Sequence, residues 1–331
     1  MCIRGAEAVQ WFNFNLGDFC VSFLGILFEG TPFMLIGTLI AGFVDSFVPA
    51  GTMERILPRN MGVAVGLSAL LGIVFPMCEC GLVPVIRRMI GKGMPVPCAL
   101  TYLLAAPIVN PVTALSTIAA FRGQSPLLTA SLRLVLGFIV ASIVGLVVSR
   151  ISLRLVLNRE MHPLPSEAQA HSTPGSGHGG SSNPIKSHAN FAEPLTIPEK
   201  VANAIRCGGH DFIEVAFYLV IGAAVASVFN TAVNREALAF LGSRTIFATA
   251  AMMVLAFLLS LCSTSDAFIA ANFVTFPFVS KLAFMVFGPM MDAKLIFMYG
   301  LVFRRRFTFS LTVGLFVLVA VICLAFGTIT R

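Results

Sequence analysis

Charge is scarce in this chain. Asp, Glu, Lys and Arg make up 11% of its 331 residues, against 57% hydrophobic residues and a mean hydropathy of +0.91. So little charge cannot coat a soluble domain of this size, which excludes a water-soluble globular protein. The apolar residues come in continuous runs without strand-like alternation, which argues against a β-barrel. The first 16 residues lack a charged start followed by an apolar core and a small-residue cleavage site. No removable signal peptide is therefore expected, and the first span is expected to act as its own anchor. The eight cysteines, at 2, 20, 78, 80, 98, 207, 262 and 323, have no regular spacing, so they do not form a disulfide framework. The "GKG" at 91–93 has no Ser or Thr after its lysine and no glycine five residues before it. Without a P-loop no ATPase is expected, and neither enzymatic activity nor a cofactor is indicated.

What is present is a series of apolar runs near 17–43, 61–77, 95–121, 128–150, 208–232, 245–262, 282–303 and 307–329. They indicate an all-α polytopic integral membrane protein of about eight transmembrane helices, expected in the cell inner (cytoplasmic) membrane. The formal net charge of +7 could suggest nucleic acid, but the basic residues gather where apolar runs end, at Arg87, Arg88 and Lys92, at Arg150, Arg154 and Arg159, and at Arg304 to Arg306. These are topology signals, and nucleic acid is discounted as a partner. Residues 1–16 form an N-terminal segment, 17–158 a first membrane unit, 159–206 a hydrophilic linker rich in Ser, Gly, Pro and His, and 207–331 a second membrane unit. Four histidines (162, 171, 178 and 188) lie in or beside the linker without paired spacing, which favours a solvated spacer over a metal-gathering tether.

The two membrane units look alike. "FEGTPFMLIGTLIA" (28–41) aligns without gaps on "IEVAFYLVIGAAVA" (213–226), matching Glu29 to Glu214 and Gly37 to Gly222. At a similar offset Cys78 meets Cys262, and "APIVNP" (106–111) meets "GPMMDA" (288–293), which brings Asn110 to Asp292. An internal duplication is therefore expected, with a substrate site between the repeats. Eight full crossings with the N-terminus inside would leave Arg304 to Arg306 outside, against the positive-inside pattern. Re-entrant segments after Cys78 and Cys262 would change the count and could invert one repeat, and parallel and inverted arrangements both stay open.

Chemistry concentrates at a few positions. Glu29 and Glu214 sit inside apolar spans, where a carboxylate costs about 2.5–3.5 kcal/mol to insert, and are candidate coupling residues; an architectural hydrogen bond is the plainer alternative. Pro107 and Pro111, four apart, remove two successive helical hydrogen bonds, so the helix should break there with Asn110 in the gap. Asp292 and Lys294 stand at the equivalent place in the second unit. In "FPMCECGLVP" (75–84), Cys78 and Cys80 would point about 200° apart on a regular helix, but Pro76, Gly81 and Pro84 make the backbone irregular enough for them to converge. Two thiolates suit a soft centre such as Cu(I) or trivalent arsenic, while zinc would have to recruit Glu79 or Cys262. The alternatives are buried structural cysteines and a redox pair. The corresponding "CSTSDAF" (262–268) keeps one thiol and adds Ser263, Ser265 and Asp266, a harder, oxygen-rich set. Gly62 with Gly66, and Gly37 with Ala41, each form a small-residue face expected to serve helix packing.

The stretch "PMCECGLVPVIRRMIGKGMPVPCALTYLLAAPIVNPVTALSTIAAF" together with "EGTPFMLIG" closely resembles the YraQ/ArsP-type predicted permease family, especially its YcgR-like branch. The resemblance implies a permease whose relatives export trivalent organoarsenicals, with a neighbouring branch associated with copper and zinc efflux and with frequent pairing to a second membrane subunit. It places Cys78, Glu79, Cys80, Gly81, Pro107, Asn110 and Pro111 at the family's signature positions. The expected function is a permease moving a thiophilic metal or metalloid species outward through a site formed by these residues with Cys262, Ser263, Ser265, Asp266 and Asp292. A membrane thiol oxidoreductase using Cys78 and Cys80, or a channel for an ion or small sulfur compound, is the alternative. Because the linker composition cannot form a packed core, deleting residues 165–190 is expected to leave transport within a few-fold of the intact chain, as measured by uptake or efflux in vesicles.

Overall fold

A computed structural model of the chain describes residues 16–49, 51, 52, 57–123, 125–157, 197–232 and 245–329. The N-terminal residues before Leu16, the four linker histidines and most of the linker lie outside the described residues. Everything described is helical apart from turns and one isolated antiparallel bridge between Leu157 and Phe303. The N-terminal half comprises α1 (Leu16–Phe47), α2 (Met61–Val74), α3 (Glu79–Gly91), α4 (Val96–Ala105), α5 (Pro111–Ala120), α6 (Pro126–Val148) and the single turn α7 (Leu153–Val156). The C-terminal half comprises α8 (Ile197–Ala232), α9 (Thr245–Leu259), α10 (Ser265–Asn272), α11 (Phe278–Met290), α12 (Ala293–Tyr299) and α13 (Arg305–Ile329). Helix α8 begins at Ile197, so residues 197–206, expected to belong to the linker, are helical; Pro198 suits a first helical turn, where no backbone N–H is needed.

Among the described residues five stretches, 16–47, 126–148, 198–229, 278–299 and 305–328, are long and apolar enough to cross a membrane. The chain is thus a helical polytopic membrane protein. The run expected at 95–121 is broken into α4 and α5, as the Pro107/Pro111 spacing predicts, and the run at 282–303 into α11 and α12. Each break is repaired locally by a capping side chain: Asn110 Oδ1 accepts from Val112 N at 2.9 Å, and Asp292 Oδ1 accepts from Leu295 N at 2.7 Å. Pro111 then stands as the first helical residue of α5, which costs no hydrogen bond.

The packing fixes the relative directions of the main helices. Gly30 faces Leu219, Gly208 faces Thr38 and Gly42 faces Ala204, so α1 and α8 run antiparallel along a small-residue seam. The N-terminal ends of α2 and α4 both meet Gly145 of α6, through Val65 and through Pro97 and Thr101, while Gly72 near the end of α2 meets Ala106 and Val109 at the break. Helices α2 and α4 are therefore parallel, α6 is antiparallel to both, and α3 runs back antiparallel to α2 but packs on α1 and α4, so that α2 and α3 form an open hairpin. In the other half Thr249 meets Ser280 and Ala256 meets Gly288, so α9 and α11 are parallel and α10 is the returning arm. At 1.5 Å per residue α3 and α10 are about 20 and 12 Å long, short of the ~30 Å of bilayer hydrocarbon.

The contact of α1 with α3 has no spare room, whereas the Gly62/Gly66 face, expected to pack on another helix, is open. A Cβ on Gly37 would run into the Gly81 carbonyl, whereas one on Gly66 would meet nothing within 4 Å. Gly37→Ala is expected to destabilise the protein by about 1–3 kcal/mol through overpacking. Gly66→Ala should be neutral or stabilising by up to about 1 kcal/mol. Thermal unfolding of the two variants in detergent measures the contrast.

Candidate functional site

The tips of the two hairpins and the two helix breaks meet in the interior: α3 packs on α12, and α10 packs on α5. The chain leaves α2 at Phe75 in irregular backbone, and Cys78 takes the extended N-cap position of α3 (φ −76°, ψ 161°). Its thiol thus precedes the first turn while that of Cys80 lies within it, which lets both line one pocket. The walls of that pocket are Ile26, Glu29, Gly30 and Phe33 of α1, the Cys78–Glu79–Cys80 tip, Cys262 of the other tip and Lys294 of α12. It has room for about one water molecule. All three thiols are free.

Around this pocket lies a buried layer of charge. Glu79, Asp266, Asp292, Arg133 and Lys294 are each at most 4% exposed. Lys294 Nζ donates to Glu79 Oε1 at 3.3 Å and to the Ser260 carbonyl at 3.0 Å, and lies 3.3 Å from Asp292 Oδ2. Arg133, from α6, donates to Thr117 Oγ1 at 3.0 Å and to the Ser263 carbonyl at 2.8 Å, and stands 3.9 Å from Asp266. The two cations hold both hairpin tips: Lys294 binds the first through Glu79 and the second through Ser260, and Arg133 binds the second through Ser263 and Asp266. Three carboxylates face two cations, and Glu79 Oε2, Asp266 Oδ2 and Asp292 Oδ2 accept no hydrogen bond within the protein. Asp292 Oδ2 and Asp266 Oδ2 still face Lys294 and Arg133, at 3.3 and 3.9 Å, so they are ion-paired without a hydrogen bond, and the set keeps acceptor capacity for a further donating group.

The candidate residues from the sequence divide among several places. Cys78, Glu79, Cys80, Cys262 and Glu29 come together at the pocket, and Ser265 Oγ donates to Glu29 Oε1 at 3.4 Å. Asp266, Asp292 and the Ser263 carbonyl belong to the charge layer, and Gly81 lets α1 approach α3 through the Phe33 carbonyl. Pro107 supplies a carbonyl that accepts from Thr113 at 2.9 Å; Asn110 and Pro111 line a separate apolar cavity of about 410 Å³ with Leu70, Ile73, Val109 and Phe138. Glu214 is not at the pocket; it pairs with Arg87 at 2.6 Å on the outer part of the α1–α8 seam. Among the described residues only His210, Asp211 and Glu214 bring three ligand-type atoms within 4.8 Å of one another, and there Arg88 and Arg87 already bind the two carboxylates. The residue that sequence reasoning missed is Arg133. Its signal was a lone arginine in the apolar run of α6, where an ionisable side chain is expected to have a partner.

A helical membrane protein whose broken helices gather thiols and charges at its centre has the construction of a transporter. The chain belongs to the family described as predicted permease, ArsP_1, whose model matches residues 15–330. It is 35% identical over 298 residues to the UPF0718 protein YcgR of Bacillus subtilis (strain 168), covering 90% of this chain and 92% of that protein. It is 28% identical over 308 residues to a protein of Streptococcus mutans serotype c named as a subunit of a two-component membrane permease complex, covering 92% of this chain and 93% of the other. No solved structure matches the chain.

Removing one partner from a buried ion pair strands the others. Lys294→Met is therefore expected to destabilise the protein by about 3–5 kcal/mol. Glu79→Gln keeps the hydrogen-bonding shape and leaves Lys294 its Asp292 partner, so it should cost clearly less. The separation between the two in thermal unfolding tests whether Lys294 is the common anchor.

Proposed function

We propose that the protein is a permease for a thiophilic metal or metalloid species, carried through the pocket between its two halves. The observation that carries this reading is the meeting of Cys78, Cys80 and Cys262 from two hairpin tips at one pocket, beside Glu79 and Lys294. Soft thiol ligands suit a soft cation or trivalent metalloid. The thiols surround the space without closing into a tight set, which suits a site that must release what it binds. Glu29, in the pocket wall, is the better candidate for coupling; Glu214, ion-paired away from the pocket, does not share that role.

The antiparallel seam supports two inverted repeats, each with three crossings and one half-spanning hairpin, in place of eight full crossings. In the first repeat α1, α4 with α5, and α6 cross, and α2 with α3 re-enters; in the second α8, α11 with α12, and α13 cross, and α9 with α10 re-enters. This topology brings the turn after α3, the end of α6 and the turn before α13 to one face, since Arg304 Nε donates to the Leu157 carbonyl at 3.1 Å. Arg87, Arg88, Lys92, Arg150 and Arg304 to Arg306 then share that face, which the positive-inside pattern makes cytoplasmic. The conflict over Arg304 to Arg306 disappears. The location is the cell inner membrane, and a second membrane subunit is the natural partner, in line with the name of the Streptococcus relative.

Cys78→Ser and Cys80→Ser are each expected to lower transport of the substrate about ten-fold or more at unchanged protein level, because a hard hydroxyl replaces a thiolate ligand. A panel of metal and metalloid sensitivities in cells with and without the protein identifies the substrate, and that substrate should protect Cys78 from alkylation. Undiminished transport with both cysteines replaced would return them to a packing role. Cycling between dithiol and disulfide during turnover would favour the oxidoreductase.

A further inference from the structure

A second cluster of charge lies at the other end of α3. Arg88 binds Asp211 of α8 through two hydrogen bonds of 2.8 Å and reaches Asp45 of α1 at 3.2 Å. Lys92 donates to the Asp45 carbonyl at 2.6 Å and lies 3.2 Å from its carboxylate, and Arg87 pairs with Glu214. Three cations from one short helix thus meet three carboxylates from both helices of the seam.

The pocket lies on the opposite side of the point where α1 crosses α3. That crossing is at Phe33, Gly37 and Gly81. The wall residues Ile26, Glu29 and Gly30 lie towards the N-terminus of α1, while Asp45 lies beyond the crossing towards its C-terminus. The thiols at the start of α3 therefore look towards the face away from the basic clusters. The path to the basic face is filled by α3 itself, clamped to α1 and α8.

The two charge layers differ in how readily they can open. The side chains of the central pairs are at most 5% exposed, so separating them strands charge in an apolar interior. In the outer cluster every side chain except Asp211 is 17–31% exposed, so parting its pairs strands less charge in the packed interior. Beneath it the seam is built from Gly37, Gly42, Gly81 and Gly208, whose contacts are with backbone. Such surfaces present few knobs to sliding, and small shear of packed helices is an established mode of domain movement.

We propose that Arg87, Arg88 and Lys92 with Asp45, Asp211 and Glu214 form the gate on the basic face, closed in this structure, and that the thiol pocket becomes accessible from that face when the cluster parts and α3 shifts along the seam. The gate rests on the permease reading for its purpose, but its test needs no substrate.

Vesicles of both orientations containing the full chain are treated with a membrane-impermeant maleimide, and alkylation of Cys78 is quantified by peptide mass spectrometry. In the unaltered protein Cys78 should react from the face opposite the basic clusters. In Asp45→Asn/Asp211→Asn, which keeps side-chain size, reaction from the basic face should rise about five-fold or more. A second variant, Arg88→Cys/Asp211→Cys, should lose the basic-face reaction on oxidation and regain it on reduction. Equal reaction from both faces in the unaltered protein overturns the gate. So does the absence of any basic-face gain in the Asn variant when its thermal unfolding is normal; if that variant does not fold, a basic-face reaction insensitive to oxidation in the cysteine pair does so. A protein that shows the shift yet moves no thiophilic substrate would retain the gate and overturn the substrate assignment instead.

Discussion

The buried contact of Lys294 with Glu79 joins residues 215 positions apart, from the broken helix of one half to the hairpin tip of the other. Neither charge is tolerable unpaired. A lysine or glutamate placed in an apolar helical interior must find a counter-charge; Lys294 has Asp292 in its own half, but Glu79 meets its cation only when the two halves are assembled. The ion pair therefore makes correct docking of the halves a condition for burying the Glu79 tip. Asp292 and the Ser260 carbonyl complete the coordination of the same ammonium, so α12, α3 and the end of α9 share one electrostatic centre. Around it the packing is apolar and tight, with Leu82, Leu100, Phe284, Phe287 and Met298 essentially inaccessible.

Much of this was legible in the sequence because it is local. The membrane class follows from composition, and the break before Pro111 follows from two prolines spaced so that successive hydrogen bonds fail. Asn110 was read as lying in the gap, although its work as the cap of α5 needs the backbone geometry of the break. The convergence of Cys78 with Cys80 was readable from flanking breakers, whereas the arrival of Cys262 rested on an alignment of the two units. What could not be read is pairing over distance. Arg87 and Arg88 looked like ends of a span, and nothing near them in sequence indicates that Glu214 and Asp211 lie opposite. Arg133 carried a signal in its apolar surroundings, but its partners Thr117 and Ser263 come from two other helices.

Similar segments of sequence can have different surroundings. Glu29 and Glu214 align when residues 28–41 are laid on 213–226, yet one lines the thiol pocket and the other binds an arginine away from it. The cause is visible in the packing: α1 lies against α3, whereas α8 lies against α12 rather than against α10. A likeness between two segments of sequence is thus no guide to the chemistry around each residue.

The breaks have an electrical consequence. Helices α3, α5, α10 and α12 begin near the centre of the protein, and α2, α4, α9 and α11 end there. Each start presents the positive end of a peptide dipole and each end the negative, equivalent to roughly half a charge apiece. Four of each kind at one level cancel in the far field. Seen from afar the backbone therefore adds no net charge at the centre, while within the pocket the nearby start of α3, at Cys78 to Cys80, adds its positive end to the charge of Lys294 against Glu29 and Glu79.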